Sequence, residues 1–165
     1  AGILKEDDRV ELVEGEIVEM SPIGSRHAAC VARLTAWAGR LQGWAVAWVQ
    51  NPVRLGDFAE PQPDLALLRP RADFYAAAHP TPEDVLLVVE VAETSSDYDR
   101  QVKVPLYARW QIPEAWLVDL DRDHVEVYRD PSADGYRHVR AVPRGERLAP
   151  AAFPHLNLQA DDILG

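Results

Sequence analysis

Val85-Leu86-Leu87-Val88-Val89-Glu90-Val91-Ala92 is the most apolar run in the chain, and a single carboxylate interrupts it. Such a run predicts a strand at the centre of a sheet, covered by other elements. Glu90 has no easy place in that strand as mere packing, because a buried carboxylate without a partner is costly. The run therefore decides the fold class and raises the first functional question together.

Upstream, Pro63-Asp64-Leu65-Ala66-Leu67-Leu68 reads as a short buried strand opened by Asp64, with Pro61 and Pro63 stiffening its approach. Earlier still, Val10 to Val13 and Ile17 to Met20 flank Glu14-Gly15-Glu16 and predict a β-hairpin. Ser21 to Ser25 offers a helix start, and His27, Val31, Leu34, Ala38 and Leu41 recur at helical spacing until Gly43 ends the pattern. Trp44 to Val49 and Val53 to Leu55 read as strand, interrupted at Asn51-Pro52. Arg69 to Glu83 reads as an excursion with one helical turn around Phe74 to Ala78.

Downstream, Asp97 to Trp110 has helical spacing, with Val102, Leu106 and Trp110 on one face. Pro105 inside it predicts a kink or a position near the first turn. Ala115 to Asp119 follows as another apolar strand, and His124 to Arg129 with Tyr136 to Val142 predicts a second hairpin. The order is that of an α/β (α+β) domain: a mixed β-sheet flanked by helices, with an N-terminal β-hairpin, one domain over residues 1–165.

The chain is acidic, with a net charge of −10, and no apolar run approaches the roughly 20 residues that span a bilayer. An acidic N-terminal stretch (Glu6, Asp7, Asp8, Glu11, Glu14, Glu16, Glu19) lacks the character of a secretory signal, and one cysteine, Cys30, excludes an intrachain disulfide. A cytoplasmic protein without membrane contact is expected. The acid balance opposes non-specific nucleic-acid binding. Arginines nevertheless accumulate at Arg122, Arg129, Arg137, Arg140, Arg144 and Arg147, so one basic face is compatible with the total. A solvated surface is the plainer account of them.

Of 17 basic residues only Lys5 and Lys103 are lysine. A chain with that bias that still places lysine at 103 points to a compact ammonium with a task of its own. Two carboxylates on neighbouring strands, Asp64 and Glu90, repel each other unless a cation intervenes. Magnesium, with manganese as a substitute, suits two such carboxylates, and Lys103 would orient the attacking water or stabilise charge in phosphodiester hydrolysis.

These residues resemble the PD-(D/E)xK nuclease superfamily, with Asp64 after Pro63 on one strand and Glu90 on the next. Ala92 stands where the lysine of Glu-x-Lys belongs, and Lys103, in the following helix, takes its place. More closely, the chain resembles the Uma-type family of restriction-endonuclease-like proteins over nearly its whole length. That resemblance is carried by Glu11-Leu12-Val13-Glu14-Gly15-Glu16-Ile17-Val18, His27, Pro63-Asp64-Leu65-Ala66, Glu90-Val91, Asp99-Arg100 with Lys103 and Tyr107, and Pro113 to Asp119. It implies a restriction-endonuclease-like fold and a site of Asp64, Glu90 and Lys103 and supplies no known substrate; phosphodiester bonds in DNA are the expected target. Glu93-Thr94-Ser95 replaces a family-typical serine-proline-serine, and Trp116 follows Ala115 where an aromatic residue is common.

Each residue also has a plainer reading. Asp64 can cap a turn. Lys103 can pair with Asp99 at i,i+4 on a helix surface. Glu14, beside the hairpin turn, either favours solvent or completes the site. His27 is a core histidine or a group near the scissile phosphate, and Gln62 a contact for water or phosphate. Two other functions compete: a non-catalytic binding or assembly module, signalled by Lys103 turned away from Asp64 and Glu90, and a metal-dependent hydrolase of small phosphorylated substrates. A homodimer or higher homo-oligomer is expected, with Trp44 to Val49 and Ala115 to Val118 as apolar surface.

Overall fold

The computed structural model describes residues 8–165, so Lys5, Glu6 and Asp7 lie outside the described residues. Six strands form the main sheet in chain order: β3 (Val46–Val49), β4 (Leu65–Leu68), β5 (Val85–Ala92), β6 (Glu114–Asp119), β7 (His124–Ser132) and β8 (Gly135–Pro143). The expected central strand is β5. It pairs antiparallel with β4, Leu65 opposite Val89, and parallel with β6, Glu90 opposite Leu117. A parallel pair needs a crossover connection. Here that crossover is the helical stretch made of α2 (Ser96–Tyr98), a π-helical turn (Asp99–Lys103) and α3 (Val104–Arg109).

The π turn has a local cause. Pro105 has no N–H to give the carbonyl of Gln101, and its ring crowds that carbonyl. The wider turn over Asp99–Lys103 relieves the conflict one turn upstream. It also buries Asp99 and Lys103.

Both faces of the sheet are covered. On one, α1 (Ser25–Ala38) and α4 (Ala160–Leu164) close a core containing Leu34, Trp37, Val89, Trp116 and Ile163. On the other, α3 packs Leu106 and Tyr107 with Val88 and Leu117. The hairpin of β1 (Val10–Val13) and β2 (Glu16–Glu19) stands outside the main sheet. Its ties are backbone hydrogen bonds between Leu12 and Glu60 and from Gly15 N–H to Phe58 O. A second small hairpin joins β9 (Arg147–Leu148) and β10 (Leu158–Gln159).

Several expectations are corrected. Helix α1 ends at Ala38, and a 3-10 turn carries the chain through buried Leu41 before Gly43. Val53 to Leu55 is irregular, because its N–H groups go to the loop carbonyls of Pro61, Pro80 and Ala59. Phe74 to Ala78 is not helical, since Phe74 and Tyr75 take φ values of 49° and 64°. Trp110 falls after α3, 40% exposed, against Gly56, where any Cβ would strike its ring. Ala115 to Val118 is wholly buried within β6 and presents no surface to a partner, whereas Trp44 is exposed. Among the described residues no helix is long and apolar enough to cross a membrane.

Candidate active site

Ligand sites in sheets with parallel strands gather beyond the carboxyl ends of those strands. A cleft of about 310 Å³ opens there in this molecule, at the end of β5, between the crossover helix and the β1–β2 hairpin. Asp64, Glu90 and Lys103 all line it, as do His27 and Gln62. Each of the first three is less than a tenth exposed.

Glu90 points from β5 toward the crossover. Its Oε1 accepts a 2.5 Å hydrogen bond from Tyr107 Oη and meets Lys103 Nζ at 2.6 Å. None of the described residues donates to its Oε2. Lys103 and Tyr107 sit one turn apart and so reach the same carboxylate. Lys103 Nζ also lies 3.1 Å from Glu11 Oε2. That oxygen accepts the Gln62 N–H at 3.0 Å, while Gln62 Nε2 donates to Val10 O. Gln62 thereby fastens the hairpin against the site.

Asp64 lies just ahead of β4, where its side chain extends the strand contact with β5. Val91 N–H donates to Asp64 Oδ2 at 2.8 Å, and His27 Nε2 lies 3.1 Å from the same oxygen. Gln50 Nε2 reaches Oδ1 at a longer 3.3 Å. The Asp64 hydrogen bond raises the pKa of His27 against the opposing effect of burial. Among the described residues nothing hydrogen-bonds to His27 Nδ1 or the Tyr98 hydroxyl, both buried.

The electrostatics are lopsided. Glu11, Asp64, Glu90 and Asp99 are buried carboxylates, and Lys103 is the one buried lysine or arginine among the described residues. Burial raises the pKa of Glu90 well above its ordinary value; Lys103 opposes this, and Asp99, Asp64 and Glu11 add to it. Burial lowers Lys103, but Glu90, Glu11 and Asp99 outweigh it, so the ammonium holds its proton more firmly than an ordinary lysine. Asp99 is raised by burial, with Lys103 and the 2.8 Å Ser95 Oγ hydrogen bond opposing. The simple Asp99–Lys103 pair is replaced by Lys103 with Glu90 and Glu11.

Glu14 is not in the cleft. It is exposed at the hairpin turn and pairs with Arg109. Glu11, three residues earlier, occupies the place considered for it. Its signal was strand parity: Glu11 and Val13 alternate to the buried side of β1, and Glu14 lies in the turn. Tyr107 also escaped assignment, although its i+4 spacing from Lys103 marks a shared helix face.

One acid–histidine trio among the described residues has ligand atoms within 4.8 Å of one another, and it lies elsewhere: Asp119, His124 and Glu126. The Arg100 guanidinium already fills it, 3.1 Å from Asp119 and 2.8 Å from Glu126. Tyr128 Oη donates to Glu126 as well.

A solved structure of a putative nuclease belonging to DUF820 from Anabaena variabilis shares the fold, with a TM-score of 0.78 and 16% identity. The match covers 98% of this chain and 93% of that one. No curated protein matches the chain. The family model Uma2, described as "Putative restriction endonuclease", matches residues 3–161. The chain belongs to the Uma2 family.

Proposed function

We propose that the protein is a magnesium-dependent nuclease hydrolysing phosphodiester bonds in DNA, with Asp64, Glu90 and Lys103 at its centre. The observation that carries this reading is the shortage of positive charge: of the four buried carboxylates lining the cleft, only Glu90 and Glu11 pair with Lys103, the one buried ammonium there. The buried carboxylates offer hard oxygens, which suit magnesium or manganese. Asp64, whose Oδ1 has only its long contact to Gln50, and Glu90 would hold the ion. When bound, the ion supplies Lewis-acid polarisation of the phosphate and charge neutralisation at the carboxylates.

The protein's own groups do the rest. Lys103 holds its proton tightly, so it is no general base. Its ammonium orients water toward the phosphorus and stabilises negative charge as it develops there. Tyr107 fixes the Glu90 carboxylate by hydrogen bond, and Gln62 and Lys103 fix Glu11. His27 holds Asp64 in place. Lys103 turned toward Glu90 supports this reading over a non-catalytic module. Pairing of two copies for double-strand cleavage would use a surface other than β6.

The test is hydrolysis of end-labelled oligonucleotides in magnesium, comparing the wild type with Lys103→Met and Glu90→Gln. Cleavage that both substitutions abolish in folded protein supports the proposal. Cleavage that survives them removes these residues from the chemistry.

A further inference from the structure

A second concavity lies well away from the cleft. It is bounded by β7, β8 and the segment 147–157, on the face that α1 and α4 cover, and has a volume of about 720 Å³. Arg129, Arg137, His138, Arg140 and Arg147 line it together with Asn157. No aspartate or glutamate is among its lining residues, in a chain of net charge −10. Leu148, Pro150 and Pro154 give it an apolar floor.

Arg129 is committed to Glu114 and Ala149 O, but the other cations are only loosely held. Arg140 pairs with Glu146 at 2.9 Å and Arg137 with Asp130 at 3.5 Å, both on exposed surface. His138 lies 3.8 Å from the same Asp130. Exposed pairs of this kind contribute little and exchange readily for a stronger anion. Among the described residues Arg147 pairs with no carboxylate; its Nη1 donates to Asn157 Oδ1 at 3.1 Å. Arg129 lies over fully buried Glu114 at 2.8 Å, yet its side chain remains 44% exposed. His138 and Arg140 lie opposite Arg129 and Val127 in the β7–β8 register, so they project on one face of the sheet.

We propose that this groove binds the phosphodiester backbone of a nucleic acid, as an anchoring site separate from the cleft. The choice of ligand rests on the nuclease reading; the basic groove itself does not. The cleft, lined by Glu11, Glu19, Asp64, Glu90, Glu93 and Asp99, does not attract a polyanion by charge. The groove supplies what the cleft lacks. Guanidinium forks suit phosphate oxygens bidentately, and such contacts position a strand without reading its sequence.

The test is fluorescence anisotropy of a labelled oligonucleotide, single-stranded and duplex, across a sodium chloride series in EDTA. Wild type, the double variant Arg140→Glu/Arg147→Glu and Asp64→Asn are compared, each checked for folding by circular dichroism. The groove predicts salt-dependent binding by the wild type. In the charge-reversed variant it predicts affinity weakened about 10-fold or more and a log–log salt slope reduced by about 2. Asp64→Asn should bind as the wild type does. Unchanged affinity and slope in the double variant overturn the proposal, as does a wild type that binds neither oligonucleotide. Self-association of the wild type that the reversal abolishes, seen by sedimentation, would assign the groove to a second copy and also overturn it. Manganese binding by the double variant, measured by calorimetry, separates the two claims. If it persists while oligonucleotide affinity falls, both stand; if the wild type binds oligonucleotide but no manganese, the groove survives and the cleft reading fails.

Discussion

Two buried acidic clusters sit at the ends of adjacent strands, and one short turn of helix serves both. Glu90 on β5 meets Lys103, and Asp119 on β6 meets Arg100, both cations carried by the π turn Asp99–Lys103. The arginine cluster is saturated. Arg100 Nε and Nη2 bond both oxygens of Glu126, Nη2 also bonds Asp119 Oδ2, and the backbone N–H groups of Asp121 and Arg122 take Asp119 Oδ1. The lysine cluster is not, since among the described residues nothing partners the buried Tyr98 Oη and His27 Nδ1, which line the cleft. Nearly the same residue types thus give a structural latch in one place and a candidate chemical site in the other. Arg100 ties the π turn to β6 and β7, and so fixes where Lys103 can reach.

The largest effect should come from breaking the latch. Arg100→Ala leaves fully buried Asp119 with only the distant Arg122 guanidinium at 3.9 Å, which should cost about 3–5 kcal/mol in a denaturant titration. Arg100→Lys should recover only part, because an ammonium cannot span both carboxylates as a fork does.

Acid sharpens the same contrast. Burial would raise Glu126, but hydrogen bonds from Arg100, Tyr128 and His124 bring its pKa down to about 2 from the ordinary 4.5. A depressed folded pKa gives stability that is present above the unfolded value and lost as pH falls through the folded one. Stability should therefore decline between about pH 4.5 and 2, by at most about 3 kcal/mol, and Glu126→Gln should flatten that decline.

Lys103→Met should be milder for folding, at about 1–3 kcal/mol, because burial raises the Glu90 pKa and eases neutralisation of the carboxylate once the ammonium is gone. Its activity loss should be about 100- to 1,000-fold in single-turnover hydrolysis. Smallest of all, Glu14→Ala breaks only an exposed pair with Arg109 and should change stability by less than about 1 kcal/mol. It should leave manganese affinity intact, whereas Glu11→Gln should weaken it.

Much of this was legible in the chain because it rests on periodicity. The apolar run at 85–92 marks the central strand, and Asp64 and Glu90 line one cleft because β4 and β5 are neighbours. Lys103 arrives because a parallel pair forces a helical crossover. What was hidden depends on register and on non-local partners. Glu11 and Glu14 have the same chemistry three residues apart, and only the hairpin's placement against Gln62 tells them apart. Pro105 announced a disturbance but not its form, since a kink and a π turn relieve the same clash. No local signal puts two bulky aromatics, Phe74 and Tyr75, at positive φ; the buried Tyr75 ring and its hydroxyl bond to Arg69 O hold them there. The Arg100 latch joins residues from three elements, beyond any short motif.

The most direct test of the contrast is a calorimetric titration of manganese into the wild type, Asp64→Asn and His124→Ala. The account predicts saturable binding in the wild type and in His124→Ala, lost in Asp64→Asn. Binding that survives Asp64→Asn and disappears in His124→Ala would place the ion in the arginine cluster and contradict the division drawn between the two sites.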